Sequence, residues 1–218
     1  LPYNNYHREN LIKENIHPSK IFCTGNTTFE AMREFAPQID NSKILNQLRL
    51  ESKNYILLTA HRSENVDNSE YLHRIIEVTG KIAKRYKREV IYPMHPRTKS
   101  KLLNLQIPEG VRIIDPLGFY DFNHLLKESF CVISDSGTAA EEGIFYKVPN
   151  VSLRMATERP ETVESGATIV SGMKLDNILE SVETAVSLPW SAKYDFADTH
   201  SPSSVVVNVI RSQITNFF

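Results

Sequence analysis

The sequence is poor in cysteine. Only two of its 218 residues are cysteines, Cys23 and Cys131. Each lies in a short apolar run, where a cysteine is more often a small core residue than a metal ligand or a disulfide partner. We therefore expect both to be buried and the protein to occupy a reducing, cytoplasmic compartment.

An excess of charge of one sign is also lacking, since 25 Lys and Arg residues oppose 26 Asp and Glu residues. This balance indicates neither a nucleic-acid partner nor an anionic membrane surface. No apolar stretch approaches the roughly 20 residues that span a bilayer, and the polar first residues lack a signal-peptide core. Because the chain starts at Leu1 rather than at a methionine, we expect it to be a fragment of a longer protein.

Several motifs of common enzyme classes are missing. There is no Gly-x-Gly-x-x-Gly and no Gly-x-x-x-x-Gly-Lys-Ser/Thr, which argues against a typical NAD site and a P-loop. The triplet Asp135-Ser136-Gly137 lacks the first glycine of a serine-hydrolase elbow. No spacing resembles a zinc site or an EF-hand. We expect neither a metal nor another cofactor.

The sequence does contain an alternation of short apolar strands with amphipathic helices. Because helical crossovers join parallel strands, this pattern predicts an α/β fold with an open parallel Rossmann-like sheet and helices on both faces. The predicted strands are Tyr55–Thr59, 90–92, Val111–Ile114, 130–134, 151–153 and Thr168–Val170. The predicted helices among and after them are 69–85, 99–105, 121–127, 138–146, Pro160–Glu164, 175–186 and 203–218. Ahead of them we predict a helix at 6–15, a short strand at 21–24 and a helix at 27–35.

Polar side chains follow the predicted strands, where ligands bind in an open parallel sheet. His61 and Arg62 follow the first strand, and His95 and Arg97 follow the second. Arg154 and Arg159 follow the fifth. Arginine binds phosphate oxygens in bidentate fashion and histidine can donate to a leaving oxygen, so the set suits a diphosphate. For each histidine alone, a turn or capping role is an equally good interpretation.

The fourth strand is followed by a candidate phosphate cradle. Ser136, Gly137 and Thr138 stand at the start of a predicted helix, where free N–H groups and hydroxyls can bind an anion. An ordinary N-cap is the alternative. Glu142, one helical turn further, could reach sugar hydroxyls, or it could lie on a solvated helix face.

Four motifs, in this order, resemble those of the non-hydrolysing UDP-N-acetylglucosamine 2-epimerases. They are Thr59-Ala60-His61-Arg62-Ser63-Glu64-Asn65, Tyr92-Pro93-Met94-His95-Pro96, Asp135-Ser136-Gly137 with Glu141-Glu142, and Thr157-Glu158-Arg159-Pro160-Glu161. Pro116-Leu117-Gly118-Phe119 and Thr24-Gly25-Asn26-Thr27 match as well. The matches run from about residue 21 to residue 172.

The resemblance implies one half of a two-domain fold of the glycosyltransferase-B type, with the active site between two Rossmann-like domains. Residues 1–218 would be the C-terminal UDP-binding domain, with an N-terminal hinge segment of about 1–40. The family's N-terminal domain carries the carboxylates thought to move the C2 proton, and it has no counterpart in this sequence. We therefore expect the isolated chain to be inactive and the full-length enzyme to form a homodimer.

The resemblance also implies roles for individual residues. His61 would assist the departure of UDP. The other substrate contacts would come from Ser136, Gly137 and Thr138 to the phosphates, Glu142 to the ribose, Arg159 to the diphosphate or ribose, and Phe122 to the uracil. Arg62 and His95 correspond to positions that, in bacterial relatives, help to bind a second, activating substrate molecule.

The reaction implied is an anti elimination of UDP that gives 2-acetamidoglucal, followed by re-addition with inversion at C2. It would interconvert UDP-GlcNAc and UDP-ManNAc for the synthesis of surface polysaccharide precursors. One alternative is a related 2-epimerase that forms UDP-N-acetyl-L-fucosamine. Another, from a different class, is a nucleotide-sugar-binding module or the half of a retaining glycosyltransferase.

Overall fold

A computed structural model describes residues 1–102, 105–189 and 201–214. The β-strands of this part are β1 Tyr55–Thr59, β2 Glu89–Pro93, β3 Val111–Ile114, β4 Cys131–Ser134, β5 Asn150–Ser152 and β6 Thr168–Val170. Its α-helices are α1 Asn5–Lys13, α2 Thr27–Glu34, α3 Ala36–Asp40, α4 Ile44–Leu48, α5 Ser63–Val66, α6 Ser69–Tyr86, α7 Pro96–Lys99, α8 Phe119–Lys127, α9 Gly137–Tyr146, α10 Pro160–Glu164, α11 Leu175–Ser187 and α12 Pro202–Ile214. Short 3-10 helices lie at Pro18–Lys20 and Ser100–Leu102. These elements form two compact units, which are described separately.

The larger unit, described over 37–102 and 105–189, contains a six-stranded sheet of order β3-β2-β1-β4-β5-β6. Every strand pair is parallel. In the register, Ile56 lies between Val90 of β2 and Cys131 of β4. The predicted parallel Rossmann-like sheet is confirmed. Its strand order reverses between β1 and β4, and ligands of such folds bind outside the carboxyl ends of the strands at that point.

Both faces of the sheet are covered by helices, as predicted. Alternate residues of β1 point to opposite faces. Ile56 and Leu58 belong to a core that includes buried residues of α6 and α11. Tyr55 and Leu57 belong to a second core with residues of α4, α8 and α9. The strands are therefore buried on both sides, which explains why they appear in the sequence as short continuous apolar runs.

The long helix α6 shows how the sequence specifies an element. The side chain of Asn68 caps its start by accepting hydrogen bonds from the backbone N–H groups of Glu70 and Tyr71. Its end is set by Lys87, which adopts the left-handed conformation with φ of 51°. Between these ends, the buried residues include Leu72, Ile75, Ile76, Thr79 and Ile82, which recur at helical spacing on one face.

Some predictions were wrong. Residues 21–24 form no strand; Thr24 and Gly25 donate backbone hydrogen bonds to the carbonyl groups of Pro2 and Tyr3 without forming a ladder. The side chain of Cys23 is exposed, whereas Cys131 is buried as expected.

Other helix predictions needed new bounds or additions. The predicted helix 99–105 is replaced by α7 and the 3-10 helix after it, with residues 103 and 104 outside the described residues. Residues 215–218 of the predicted C-terminal helix also lie outside them. The short helices α3, α4 and α5 were not predicted.

The smaller unit is described over 1–36 and 201–214. In it α12 contacts α2. The carboxylate of Glu30 accepts hydrogen bonds from the hydroxyl of Ser201 and the hydroxyl of Ser203. It also accepts one from the backbone N–H of Ser203 at 2.9 Å. The bond from Ser201 is the largest cause of the lowered pKa of Glu30. The assignment of residues 1–40 as a hinge stays a prediction.

Candidate functional site

The candidate site lies at the carboxyl ends of β1 and β4, where the strand order reverses. Thr59, the last residue of β1, is paired with Ser134, the last residue of β4. The chain therefore brings His61 and Arg62, which follow β1, beside Ser136, which follows β4. The sequence predicted that these residues lie at the same edge of the sheet. It did not show that β1 and β4 are neighbouring strands.

A buried carboxylate, Asp135, connects the two strand ends. It is fully buried and accepts hydrogen bonds from the backbone N–H groups of His61 at 3.0 and 3.1 Å and of Arg62 at 2.9 Å. The side-chain amide of Asn65 donates a further bond to it at 3.0 Å. Four bonds to one carboxylate fix the loop that follows β1. Asp135 belongs to one of the sequence motifs, but this role was not predicted. Its only signal in the sequence is that an acidic residue directly follows the most apolar strand.

The same loop is held from the neighbouring strands. Asn65 also donates to the carbonyl oxygen of Leu153, after β5, at 3.1 Å. The hydroxyl of Tyr92, in β2, donates to the carbonyl oxygen of Ala60 at 2.7 Å. The imidazole of His61 remains 57% exposed, with Nδ1 3.6 Å from Oδ1 of Asp135. The backbone of His61 is therefore fixed, while its ring faces solvent.

The candidate phosphate cradle is the start of α9. Ser136 is its N-cap, and Oγ accepts a hydrogen bond from the backbone N–H of Ala139 at 3.4 Å. The backbone N–H of Ser136 itself donates to Oγ of Ser134 at 2.9 Å. Thr138 is exposed. The capping role considered from the sequence is thus present, and the long bond to Ala139 leaves the hydroxyl of Ser136 able to turn to a ligand.

The guanidinium group of Arg159 lies directly on the first turn of α9. A Cβ atom added at Gly137 would lie 2.7 Å from Cζ of Arg159, so only a glycine permits this approach. Nε of Arg159 donates to Oε1 of Glu141, a carboxylate with only 2% of its side chain exposed, at 3.2 Å. The structure thus brings Arg159 to the candidate cradle, as the sequence suggested.

A second acidic residue, Glu158, joins three arginines. Its Oε1 lies 2.8 Å from Nη1 of Arg159 and 3.4 Å from Nη2 of Arg62, and its Oε2 lies 2.6 Å from Nη1 of Arg154. The hydrogen bond from Arg154, aided by the neighbouring positive charges, lowers the pKa of Glu158 to about 2. Three of the four arginines predicted to group, Arg62, Arg154 and Arg159, are thus joined by one carboxylate. The role of Glu158 was not predicted, because one acidic residue in a loop has no periodic signal.

Glu142 is buried, so the solvated-face alternative is wrong. Burial, with a smaller contribution from Glu141, raises the pKa of Glu142 to about 8. A side-chain hydrogen bond with Asn123 opposes this rise. Asn123 is also buried and donates to the carbonyl oxygen of Phe119 at 3.0 Å. Glu142 is therefore a polar group enclosed between α8 and α9.

A cavity of about 400 Å³ opens beside the loop after β1. His61, His95, Pro116, Leu117 and Phe122 are among the residues that line it. The structure thus brings together two candidate histidines and the aromatic residue expected to pack on a base. A larger cavity of about 670 Å³, bordered by Gly80 and Pro108, includes none of the predicted site residues.

In the described part of the chain, no three His, Cys, Asp or Glu residues are grouped so that they could hold a metal ion. Among the helices of that part, none has the length and apolar character needed to cross a membrane.

Comparison with known families gives a match over almost the whole chain. The family profile described as UDP-N-acetylglucosamine 2-epimerase matches residues 1–208. The UDP-N-acetylglucosamine 2-epimerase of Methanocaldococcus jannaschii is 35% identical over 208 residues, which cover 91% of this chain and 57% of the relative. The chain therefore spans little more than half the length of the relatives that it matches.

Solved structures agree with this assignment. A crystal structure of the Methanocaldococcus jannaschii UDP-GlcNAc 2-epimerase in complex with UDP-GlcNAc and UDP is 32% identical, with a TM-score of 0.87 over 96% of this chain and 60% of that chain. The UDP-GlcNAc 2-epimerase of Neisseria meningitidis bound to UDP-GlcNAc is 27% identical, with a TM-score of 0.81 over 94% of this chain and 59% of that chain.

Proposed function

Because the chain belongs to the UDP-N-acetylglucosamine 2-epimerase family, we propose that it binds UDP and forms the UDP-binding portion of an enzyme that interconverts UDP-GlcNAc and UDP-ManNAc. The observation that carries the proposal is the position of Arg159 on the first turn of α9, at the point where the sheet order reverses. A helix N-terminus with an arginine beside it suits a diphosphate. The two solved relatives with UDP-GlcNAc in their names support this ligand.

The diphosphate would lie against the start of α9. Its oxygens would accept hydrogen bonds from the hydroxyl of Ser136, the backbone of Gly137 and the exposed hydroxyl of Thr138. The guanidinium of Arg159 would offset its negative charge. Glu142, one turn deeper in α9, would bind the ribose hydroxyls, which can either donate to or accept from a carboxyl group.

The base and the reacting end of the ligand would take the two sides of the cavity beside β1. Phe122, on its wall, would pack against uracil, since aromatic rings stack on bases. His61, whose ring is exposed and whose backbone is fixed by Asp135, would donate a hydrogen bond to the departing UDP oxygen. Arg62 and His95 would help to bind a second, activating substrate molecule.

In the proposed reaction the C2–H and C1–O bonds break and the C1–C2 double bond of 2-acetamidoglucal forms. UDP leaves with the electron pair of the C1–O bond, and a base takes the C2 proton. UDP then adds back to C1 on the face from which it left. A proton adds to C2 from the face opposite to the one it left, which gives the C2 epimer. Stabilising the leaving group is the part that the cradle and His61 of this chain would supply. The proton-transfer groups would belong to the rest of a longer protein.

UDP binding is the direct test. We expect saturable binding of UDP in a calorimetric titration, with binding lost in the double variant His61→Ala with Ser136→Ala. A matched double variant, His73→Ala with Ser187→Ala, changes the same residue types on the exposed faces of α6 and α11 and should bind like the parent chain. Absence of UDP binding at millimolar concentration would contradict the proposal.

The substrate is tested with a longer protein that contains this chain. UDP-GlcNAc, UDP-ManNAc and the 6-deoxy UDP-sugar related to UDP-N-acetyl-L-fucosamine would be supplied in turn in deuterated water. Deuterium at C2 of a GlcNAc or ManNAc product supports the proposed epimerase. Turnover of the 6-deoxy sugar alone, or transfer of the sugar to an acceptor, would contradict it.

A further inference from the structure

The arginines of the candidate site are already paired with an anion of the protein itself. Glu158 contacts Arg62, Arg154 and Arg159 through its two carboxylate oxygens, at distances from 2.6 to 3.4 Å. Nη1 of Arg159 donates to Glu158 while the same guanidinium group lies on the first turn of α9. A carboxylate therefore lies on Arg159, the arginine that the proposed diphosphate needs, and joins it to Arg62 and Arg154.

The two carboxylates that hold Arg159 differ in their surroundings. Glu141, on α9, is almost fully buried, so its carboxylate cannot turn to water in exchange for its bond to Arg159. Glu158 lies on the loop between β5 and α10 and is 49% exposed. A half-exposed carboxylate can turn to water and regain its hydration at small cost, as the low energies of exposed ion pairs show. Glu141 is thus suited to hold Arg159 in place, and Glu158 is suited to be replaced on Arg159 by an anionic ligand.

On the basis of the proposed function, we propose that Glu158 is an internal anion that a bound diphosphate replaces on Arg159, and that Glu158 thereby lowers the affinity of the site for diphosphates. The N–H groups that donate to Glu158 cannot donate to phosphate oxygens at the same time. Each binding event therefore includes the loss of the contact between Glu158 and Arg159 and the gain of contacts between Arg159 and the ligand. No covalent step is involved.

The charge of Glu158 persists over the ordinary working range of pH, because its pairing with Arg154 holds its pKa at about 2. Competition between Glu158 and the diphosphate should therefore be present at every pH from about 5 to 8. Protonation of Glu158 cannot serve as its release in that range. The ligand itself displaces Glu158, because its phosphate oxygens offer Arg159 more negative charge than one carboxylate does.

The test compares UDP binding by the parent chain and by Glu158→Gln at one fixed, low ionic strength. We expect Glu158→Gln to bind UDP at least about threefold more tightly, since a carboxylate no longer competes with the phosphates for Arg159. Uridine, which has no phosphate, should bind both proteins equally when titrated by NMR. Weaker or unchanged UDP binding, or tighter binding of uridine as well, would overturn the proposal.

A matched control separates exchange from a general change of charge. Glu64 is 61% exposed and lies 3.8 Å from Nη1 of Arg62, so Glu64→Gln removes one negative charge beside the same cluster. It should raise the UDP affinity clearly less than Glu158→Gln does, and an equal gain would refute the specific role of Glu158. If the parent chain fails to bind UDP, the proposed function itself fails; if it binds and Glu158→Gln gives no gain, only the role of Glu158 is refuted.

Discussion

The carboxylate of Asp135 accepts four hydrogen bonds although its side chain is fully buried. Its oxygens accept from the backbone of His61 and Arg62 and from Asn65. Removing the carboxylate takes this acceptor from the backbone N–H groups of His61 and Arg62 and one of two acceptors from the amide of Asn65. We expect Asp135→Ala to lower the free energy of unfolding by about 3 kcal/mol, because several donors around a buried site lose a charged acceptor.

Urea unfolding followed by circular dichroism measures this effect. Asp115→Ala is the matched control, because Asp115 also follows a strand but its side chain is 88% exposed. Its substitution should change the free energy of unfolding by less than about 0.5 kcal/mol. Equal losses in the two variants would show that Asp135 does not hold the loop.

The close approach of Arg159 to Gly137 gives a second prediction at the residue scale. In Gly137→Ala the new methyl group would occupy the place of the guanidinium, which is the movable end of a long side chain. The fold should tolerate this change, with a free energy of unfolding within about 1 kcal/mol of the parent. UDP binding should weaken severalfold, because the displaced guanidinium no longer lies on the cradle.

A titration with UDP and a urea melt of the same sample check both halves of this expectation. Gly118→Ala is the control, since a Cβ added there meets nothing within 4 Å. Its affinity for UDP should match that of the parent chain. If Gly137→Ala binds UDP as well as Gly118→Ala does, the approach of Arg159 to the cradle has no bearing on the ligand.

At the scale of elements, α9 buries two neighbouring carboxyl groups, Glu141 and Glu142, in its first turns. Burial raises the pKa of Glu142 from the ordinary 4.5 to about 8. Between these pH values the folded chain holds a proton that the unfolded chain releases. The contribution of Glu142 to the free energy of unfolding therefore falls as pH rises from about 4.5 to about 8, by at most about 1.4 kcal/mol per pH unit, and is constant outside this window.

Glu142→Gln removes this titration, so the difference in stability between it and the parent chain should change with pH in the stated direction. Urea melts at pH 5, 6.5 and 8 measure the difference. Glu180→Gln, an exposed change on α11, should give a difference that does not vary with pH. A flat profile for Glu142→Gln would mean that Glu142 is ionised in the folded chain throughout.

The elements also show what a sequence can and cannot predict. The strands of the sheet were predicted because they are buried on both faces and form short continuous apolar runs. The wrong strand at 21–24 is equally apolar, but its backbone bonds to the chain ahead of α1 do not extend into a ladder. Helices of four or five residues, such as α4 and α5, are too short to show a helical period.

In the candidate site, too, some features could be predicted from the sequence and others could not. Residues that follow strands, such as His61 and Ser136, could be located because parallel strands bring their carboxyl ends to one edge of the sheet. The partners that position them could not, because the bonds that His61 donates to Asp135 and Arg62 donates to Glu158 join separate loops. The strand order decides which loops lie next to each other, and no local pattern in the sequence predicts the strand order.

At the scale of the whole molecule, the central question is how much of the reaction this chain can perform alone. It spans 57% of the length of the Methanocaldococcus jannaschii relative. In the proposed function, the cradle, Arg159 and His61 of this chain would act on the leaving group, and the proton-transfer groups would belong to the rest of a longer protein. Because elimination requires both the removal of the C2 proton and the departure of UDP, we expect the 218-residue chain to bind UDP without epimerising UDP-GlcNAc.

Two measurements on the same preparation check this expectation. Calorimetry should detect UDP binding, while NMR of UDP-GlcNAc incubated with the chain in deuterated water should show neither deuterium at C2 nor UDP-ManNAc. The longer Methanocaldococcus jannaschii relative, assayed in parallel, is the positive control for exchange. Exchange by the isolated chain would place the proton-transfer groups within residues 1–218, and the acidic residues nearest His61 would then be the first to test by substitution.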